Sequence, residues 1–478
     1  MAQQKGQHKR DRKGLILFGA GVISLVIAIQ FNMARVAQLR SESNYDEQAD
    51  LASLRNSKTV RQTQLGEPMK AKVESTKEID ALLNDPAMSQ KWDLKSIQTQ
   101  EAWVRHRALG SKDVKVCVID TGVDVNHPDL KPNLWVNPGE SGRDQFGRDK
   151  ATNQVDDDAD GCVDDIHGCN FIANNGDLTD HHGHGTHIAG AIGAAGGVNG
   201  RGAIGVSPHV TLIIAKYYDP ESTNNNNLVN TVRAIRYCVQ KGANIINYSG
   251  GGLEPSDKER DAIALAREKG ILFVAAAGNE QSNSDIKKYY PADYGLDNII
   301  SVTAFDEDRN VLPSSNYGEQ SVDIAAPGKK IYSTLPGGNY GYMTGTSQAT
   351  AVVTGVAALI KARFGDFDAQ RIIRHLTETG DLEPGKLAGK TRYQKRLNAY
   401  RALAILDGGV NVSGSIPVNT ANIPKAQFSI DHQPGQQVGQ QELQVDDNRL
   451  TIRDPANLSG FGHDLRDLIN QNNLTRTH

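Results

Sequence analysis

The chain has 478 residues, of which 38% are hydrophobic, and it contains 47 glycines. This apolar content is ordinary for a globular protein, so a chain that is disordered throughout is excluded. The formal net charge is −4, and without a basic excess the composition gives no indication of nucleic-acid binding. Four cysteines are too few to hold together a chain of this length, which excludes a disulfide-rich fold.

The first 34 residues have the pattern of an export signal. Residues 1–13 carry five basic side chains and one acid, and residues 14–34 contain no charged residue. About 20 apolar residues span a bilayer as a helix, and flanking positive charges stay in the cytoplasm. We therefore expect 14–34 to be a signal anchor that tethers the chain to the membrane, with a cleaved signal peptide as the alternative. In either case we expect the rest of the chain to be exported to the periplasm or the outside, and to be secreted if 14–34 is cleaved.

The remaining chain divides into three parts by composition. Residues 35–83 are polar and read as a stalk or a short pro-region, and 84–406 alternate short apolar runs with helical patterns. Residues 407–478 are rich in Gln, Asn, Asp, Pro and Gly and are expected to be a disordered tail. In chain order the middle part predicts strands at 114–119, 210–216, 243–248, 271–276 and 299–304, and helices at 186–194, 228–241, 256–269 and 347–364. Because the strands are apolar almost throughout, they predict an α/β fold whose parallel sheet is covered by helices on both faces.

Three short motifs within this part carry residues suited to chemistry. Asp120 ends an apolar strand before Thr-Gly, His184 begins a helix in HHGHGTH, and Ser347 follows Gly-Thr at the start of a long apolar helix. A helix N-terminus favours developing negative charge, which suits a nucleophilic serine. Taken separately, each motif has a plain structural alternative. The Asp is a strand end or a cap, the four histidines are a metal site or helix caps, and the Ser is an N-cap.

The motifs together resemble the signature blocks of the subtilisin-like serine proteases, the subtilases. Asp, His and Ser occur in the order found in that family, and FVAAAGNE at 273–280 resembles its fourth block. The resemblance covers about 84–406. It implies a three-layer α/β fold with a mainly parallel central sheet and helices on both faces. The N-terminal membrane segment is expected separately, from residues 14–34. The resemblance also implies an exported serine endopeptidase that acts on protein or peptide substrates through an acyl-enzyme intermediate.

The resemblance assigns a role to each site residue. Ser347 attacks the scissile carbonyl, His184 removes its proton, Asp120 orients the imidazole, and Asn279 stabilises the oxyanion. Two rivals stay open: a catalytically silent subtilase fold that serves as a binding scaffold, and a metalloprotein built on the histidine cluster. The oligomeric state is left undetermined.

The same resemblance predicts where a peptide binds. NIINYSGGG at 244–252 matches the family's substrate-binding strand, with the pocket for the residue before the scissile bond (P1) lying between this strand and 275–278. The expected binding residues are Ser249, Gly250, Gly251, Ala276 and Gly278. Because relatives more often carry a larger residue where Gly250 stands, we expect an open pocket edge. As a separate expectation, the pocket prefers bulky apolar P1 side chains.

Two regions are candidates for structural calcium. Asp156, Asp158 and Asp160 stand at alternate positions before Gly161, which is how an EF-hand loop opens, although its twelfth position is His167 rather than Glu. The alternative is a solvated acidic loop. The resemblance adds Asp129 and Asn199 as matches to the family's calcium ligands.

The cysteines divide into two pairs of different character. Cys162 and Cys169 are either a disulfide, which an exported protein can form, or two small buried residues. Cys117 and Cys238 are expected to be separate buried hydrophobic residues.

Overall fold

The computed structural model describes residues 76–196, 202–223 and 226–404, together with the backbone of three short strands beyond residue 415. The predicted membrane segment at 14–34 lies outside these residues. No helix within the described part of the chain is long and apolar enough to cross a membrane.

Ten helices and fourteen strands occur in the described residues. The helices are α1 Thr76–Leu83, α2 Trp92–Ser96, α3 Thr99–His106, α4 His184–Gly193, α5 Asn227–Gln240, α6 Asp257–Glu268, α7 Thr346–Arg363, α8 Ala369–Thr379, α9 Pro384–Leu387 and α10 Ala399–Ala404. The strands are β1 Gly110–Asp120, β2 Gly168–Asn170, β3 His209–Lys216, β4 Ile245–Tyr248, β5 Leu272–Ala276, β6 Ile299–Phe305, β7 Ile324–Pro327, β8 Ile331–Leu335, β9 Asn339–Met343, β10 Asp381–Leu382, β11 Lys395–Arg396, β12 Ile416–Pro417, β13 Val445–Asp446 and β14 Arg449–Leu450. All five predicted strands and all four predicted helices are confirmed.

A nine-stranded sheet forms the centre, in the order β10-β11-β7-β6-β5-β4-β1-β3-β2. Every neighbouring pair is parallel except β10 with β11. Strands β8 and β9 form a separate antiparallel hairpin. The short strands β12, β14 and β13 also pair antiparallel. The predicted mainly parallel sheet is therefore confirmed.

Alternate residues of each central strand bury themselves on opposite faces of the sheet. In β1, Val116 and Val118 join the core that contains α4 and α7, whereas Cys117 and Ile119 join the core that contains α5 and α6. A strand that is apolar at every position needs a cover on both sides. The two helical layers supply it, which confirms the three-layer arrangement.

This topology brings the carboxyl ends of β1, β4 and β5 side by side. Ile119 pairs with Tyr248, and Tyr248 pairs with Ala275. The residues that follow these positions, Asp120, Ser249 and the 276–279 segment, consequently meet at one edge of the sheet. Such an edge is where open α/β sheets place their sites.

Both cysteine pairs form disulfides. Cys162 is bonded to Cys169, and Cys117 is bonded to Cys238 across 121 residues of sequence. The prediction that Cys117 and Cys238 are separate buried residues is wrong. Both are fully buried, but β1 packs against α5, and this packing brings their sulfurs together.

Candidate active site

Asp120 and His184 form the central contact of the site. The Nδ1 atom of His184 lies 2.7 Å from Oδ1 of Asp120, and the backbone N–H of Thr121 donates to the same oxygen at 2.8 Å. Gly122 has φ +110°, and the carbonyl of Leu178 lies where a side chain would start. Only glycine therefore allows the tight turn after β1 to approach the segment that precedes α4.

The Asp120 carboxylate controls the protonation of His184. Burial by itself disfavours the charged imidazole, but the charge and the hydrogen bond of Asp120, with a smaller contribution from Asp180, raise the pKa of His184 above its ordinary value. Because Nδ1 is engaged by Asp120, Nε2 is the nitrogen that faces a reactant. The imidazole is thus held in the orientation that a general base needs.

The other histidines of the cluster have different surroundings. His187 is fully buried, its Nε2 lies 2.9 Å from the carbonyl of Ile331, and burial lowers its pKa to about 3. His181 instead contacts Asp219 at 2.9 Å. The histidine side chains therefore have separate partners. Among the described residues, no group of three potential metal ligands includes a histidine.

Asp180 organises this end of the site, and sequence reasoning missed it. Its Oδ1 accepts hydrogen bonds from the Thr121 hydroxyl and the Gly183 N–H, each at 2.8 Å. Its Oδ2 accepts from the N–H and the hydroxyl of Thr186 at 2.8 and 2.6 Å. One buried carboxylate thereby joins the turn after β1 to the first turn of α4. The sequence offers one indication of a role for Asp180, because an Asp shortly before a helix is a common cap. A cap, however, does not predict a contact with Thr121, 59 residues earlier in the chain.

Ser347 lies in the first turn of α7 and is tied to the end of β4. Its hydroxyl donates to the carbonyl of Ser249 at 3.2 Å, and the Ser249 hydroxyl donates back to the Ser347 carbonyl at 3.3 Å. The side chain is almost fully buried, at 7% exposure. Since Ser249 follows the register partner of Ile119, these bonds bring Ser347 to the edge that carries Asp120.

Asn279 lies beside the same helix N-terminus. Its Oδ1 accepts from the Thr346 N–H at 3.0 Å and from the Thr346 hydroxyl at 3.2 Å. With its oxygen held by Thr346, the planar amide directs Nδ2 away from that contact, and the residue is exposed. An exposed amide N–H next to a helix N-terminus is suited to an oxyanion.

Buried Asn316 supports the segment that carries Asn279. Its N–H donates to the Gly278 carbonyl at 2.9 Å, and its Nδ2 donates to the Ala277 carbonyl at 2.8 Å. Its Oδ1 accepts from the Glu280 N–H at 3.0 Å. Asn316 is a positioning residue that the sequence reasoning also missed, because its SSNYG context carries no chemical signature.

The predicted peptide-binding residues line one side of this edge. Ser249, Gly250 and Gly251 follow β4, Ala276 ends β5, and Gly278 precedes Asn279. The space beside Gly250 is filled, because a Cβ there would lie 2.5 Å from the Tyr217 hydroxyl and 3.0 Å from the Tyr248 ring. The expectation of an open edge at Gly250 is therefore wrong.

The predicted acidic loop separates into two groups. Carboxylate oxygens of Glu140, Asp156 and Asp158 lie within 4.8 Å of one another, and so do those of Asp158, Asp160 and Asp165. Lys241 occupies the second group: its Nζ lies 2.6 Å from Asp158 and also contacts Asp160. Burial lowers the pKa of Lys241, but these carboxylates outweigh it and the pKa is raised. Asp160 is thus bonded to a lysine, and the first group contacts the same lysine through Oδ2 of the shared Asp158.

Asp129 is fully buried and accepts from the Ala203 N–H at 2.8 Å. Burial raises its pKa, against the hydrogen bonds from Ala203 and Tyr340. Asn199, its predicted companion, lies outside the described residues. The structure therefore leaves this pair a prediction.

A mainly parallel α/β sheet with an Asp–His pair and a helix-mouth serine at its carboxyl edge defines the subtilisin-like class of proteins. The sequence profile of the subtilase family matches residues 111–399. The chain therefore belongs to the subtilase family of serine proteases.

Individual relatives agree with this assignment. The chain is 35% identical over 273 residues to subtilisin-like protease 2 of Plasmodium falciparum (isolate 3D7), a match that spans 56% of this chain and 18% of that protein. It is 33% identical over 292 residues to the major intracellular serine protease of Bacillus subtilis (strain 168), spanning 60% of this chain and 78% of that protein. The epidermin leader peptide processing serine protease EpiP of Staphylococcus aureus shares the fold, with a TM-score of 0.53, 24% identity, and coverage of 69% of this chain and 83% of that one.

Proposed function

We propose that the chain is an exported serine endopeptidase that uses Asp120, His184 and Ser347 as its triad. The observation that carries the proposal is the 2.7 Å contact of His184 with Asp120, at the sheet edge to which Ser249 also ties Ser347. Catalysis requires the Ser347 proton to leave the Ser249 carbonyl and turn to Nε2 of His184. The serine oxygen then bonds to the scissile carbonyl carbon, and His184 passes the proton to the leaving amine. Water then attacks the acyl-enzyme. His184 removes a proton from the water and returns it to Ser347 as the acyl bond breaks.

The oxyanion would lie between Asn279 and the N-terminus of α7. The side-chain amide of Asn279 and the Ser347 backbone N–H are the donors, and the helix dipole adds favourable charge. Loss of one such donor costs on the order of 10²–10³ in turnover, a figure measured in subtilisin.

The substrate would bind as an added strand. Ser249, Gly250 and Gly251 follow β4 with exposed or half-exposed backbone. An extended peptide can pair with their N–H and C=O groups, which makes binding insensitive to most side chains. Protein or peptide substrates fit this mode.

Two observations support export. Both cysteine pairs are oxidised, and disulfides persist in oxidising compartments outside the cytosol. The charge-free segment at 14–34 would tether the catalytic domain to the membrane, or release it if cleaved.

Calcium fits the group formed by Glu140, Asp156 and Asp158. Glu140 is fully buried, and its Oε2, like Oδ1 of Asp158, finds no hydrogen-bond donor among the described residues. Burial raises the pKa of Glu140, and the neighbouring carboxylates of Asp158 and Asp157 add to this. Hard carboxylate oxygens are what Ca²⁺ prefers. A bound ion would hold the acidic loop to the segment that carries Glu140.

Fluorophosphonate labelling of the full-length chain tests the catalytic proposal. We expect the wild type and a Ser141→Ala control to be labelled, and Ser347→Ala to be unlabelled while its far-UV circular dichroism is unchanged. A folded wild type that takes up no label would favour the silent scaffold.

Chelation tests the calcium proposal separately. EDTA should lower the Tm of Ser347→Ala protein, and added Ca²⁺ should restore it. In a Glu140→Gln, Asp156→Asn double variant EDTA should change the Tm far less. Equal changes in Tm on addition of EDTA in both proteins would show that calcium does not bind to this group.

A further inference from the structure

The ring of Tyr289 lies against both walls of the predicted P1 pocket. A Cβ on Gly251 would be 2.5 Å from Cε1 of Tyr289 and 3.0 Å from its Cζ, and a Cβ on Gly278 would be 3.0 Å from its Cδ1. Ordinary van der Waals contact begins at about 3.4 Å. Because Cδ1 and Cε1 are bonded neighbours, a single edge of the ring reaches both glycines.

The two glycines flank the proposed nucleophile. Gly251 stands two residues after Ser249, whose carbonyl accepts from the Ser347 hydroxyl. Gly278 directly precedes Asn279, whose Oδ1 accepts from the N–H of Thr346. A peptide whose carbonyl carbon is at Ser347 and whose carbonyl oxygen is at Asn279 would therefore direct its P1 side chain between Gly251 and Gly278.

The backbone around Tyr289 is firmly held. The Tyr289 N–H donates to Asp293 at 2.7 Å. The next residue, Tyr290, exchanges two hydrogen bonds with Gly252, at 2.7 and 2.8 Å. These bonds join the backbone of the segment that carries Tyr289 to the backbone of the segment that carries Gly251. A movement of the Tyr289 main chain away from Gly251 would break them.

The Tyr289 ring is partly shielded from solvent. Burial raises the pKa of the Tyr289 hydroxyl to about 12, and the Glu280 carboxylate adds to this. The residue is only half-exposed. The ring is therefore part of the pocket and not a freely solvated side chain above it.

We propose that Tyr289 is the specificity-determining residue of the P1 pocket and restricts the P1 side chain to glycine, alanine or serine. The inference rests on the proposed function for the direction of the bound peptide. An aromatic or branched P1 side chain would need the volume that the ring already occupies, whereas a methyl group needs little of it. Even one methylene in an apolar pocket changes selectivity by about tenfold or more.

Peptide binding to the full-length Ser347→Ala protein tests pocket size without catalysis. Two fluorescein-labelled peptides that differ only in Ala or Phe at P1 are titrated by anisotropy. We expect the Ala peptide to bind at least about tenfold more tightly. Adding Tyr289→Ala should reduce that ratio below about threefold by improving the Phe peptide, whereas Tyr289→Phe and the surface control Tyr393→Ala should leave it unchanged. Tyr289→Leu serves if the alanine variant does not fold.

Hydrolysis of the same peptides by the chain with Ser347 intact separates the two proposals. Preference for the Ala peptide in kcat/KM, lost in Tyr289→Ala, supports both. Binding discrimination without any hydrolysis overturns the proposed function and leaves the pocket assignment standing. Equal or tighter binding of the Phe peptide by the parent protein, or a ratio unaffected by Tyr289→Ala, overturns the role of Tyr289.

Discussion

At the scale of single residues, His184 is balanced between two opposing effects. Burial lowers the pKa of His184, but the charge and the hydrogen bond of Asp120 raise it by more, so that the pKa lies above its ordinary value. The imidazole can therefore accept the serine proton without being protonated permanently, provided that the pH is above its raised pKa. In the proposed mechanism Asp120 acts on the reaction through the charge and the tautomer of His184.

Replacement of Asp120 by Asn should remove that balance. We expect kcat to fall by about 10⁴-fold, because the imidazole loses the tautomer it needs. In the wild type, kcat/KM should rise with pH through a value above 6.5. In Asp120→Asn the residual activity should rise at lower pH, since the carboxylate charge that makes the largest contribution against burial is then absent. The pH profile of kcat/KM measures both effects.

A matched control is Asp124→Asn, which removes a carboxylate four residues away that contacts Gly337 and Gly338. This variant should keep the wild-type pH profile. An Asp120→Asn enzyme with an unshifted profile would show that Asp120 does not set the pKa of His184.

The three residues of the proposed triad could be picked out from the sequence because each stands in a short motif, at a strand end, a helix start or a helix mouth, and the motifs together resemble the signature blocks of the subtilases. Asp180, Asn316 and Tyr289 could not, because their partners are other segments. Asp180 binds a turn 59 residues earlier, and Asn316 binds the 277–280 segment. Such contacts depend on how distant elements pack against one another. Sequence periodicity locates each helix and strand, but it does not show which residues of two elements will meet.

At the scale of elements, α7 packs closely because of its small residues. All but two of its 18 residues are buried, and Gly355 faces Val206, with a Cβ at this position only 3.0 Å from Cγ1 of that side chain. The helix thereby reaches the sheet and α4 at short range. This closeness helps to place Ser347, at its first turn, beside the end of β4.

Gly355→Ala should destabilise the protein although alanine favours a helix. Helix propensity predicts a gain of about 1 kcal/mol. Overpacking costs about 1–3 kcal/mol, and a Cβ that lies closer than 3.0 Å to Cβ of Val206 belongs in the upper part of this range, so we expect a net loss of about 1–2 kcal/mol. Urea unfolding of Ser347→Ala protein measures it. Gly385→Ala in α9, where a Cβ meets nothing within 4 Å, should be neutral or stabilising; equal effects at the two positions would contradict the packing argument.

The elements themselves were largely predictable. Continuous apolar runs located the five central strands, and 3.6-residue periodicity located four helices. The disulfide between β1 and α5 was missed because its cysteines are 121 residues apart and only the packing of α5 on β1 brings them together. The filled space at Gly250 was missed for the same reason, since Tyr217 follows a different strand, β3.

At the scale of the whole molecule, buried His187 and half-buried His106 make the fold sensitive to acid. Burial lowers the pKa of His187 to about 3, and burial together with the charge of Arg363 lowers that of His106 to about 4. Both stay neutral in the folded state at pH values where the unfolded chain, with a pKa near 6.5, takes up protons. Stability is therefore present above pH 6.5 and is lost as the pH falls towards 4.

Each such histidine should contribute up to about 1.4 kcal/mol per pH unit to the slope of the unfolding free energy between pH 6.5 and 4. Urea unfolding of Ser347→Ala protein at several pH values measures the slope. His106→Gln should reduce it, whereas a change at exposed His182 to Gln should not. An identical slope in the His106→Gln protein would exclude His106 as an origin of acid sensitivity.

The Cys117–Cys238 disulfide has a consequence for the covalent continuity of the molecule. It encloses the chain that carries Asp120, Asp180 and His184, while Ser347 lies outside it. A single nick made by any protease between residues 118 and 237 would leave the two pieces joined through sulfur, so the protein would migrate intact in a gel without reductant and as two fragments with it. All three residues of the proposed triad would therefore remain in one covalently joined molecule after such a cut.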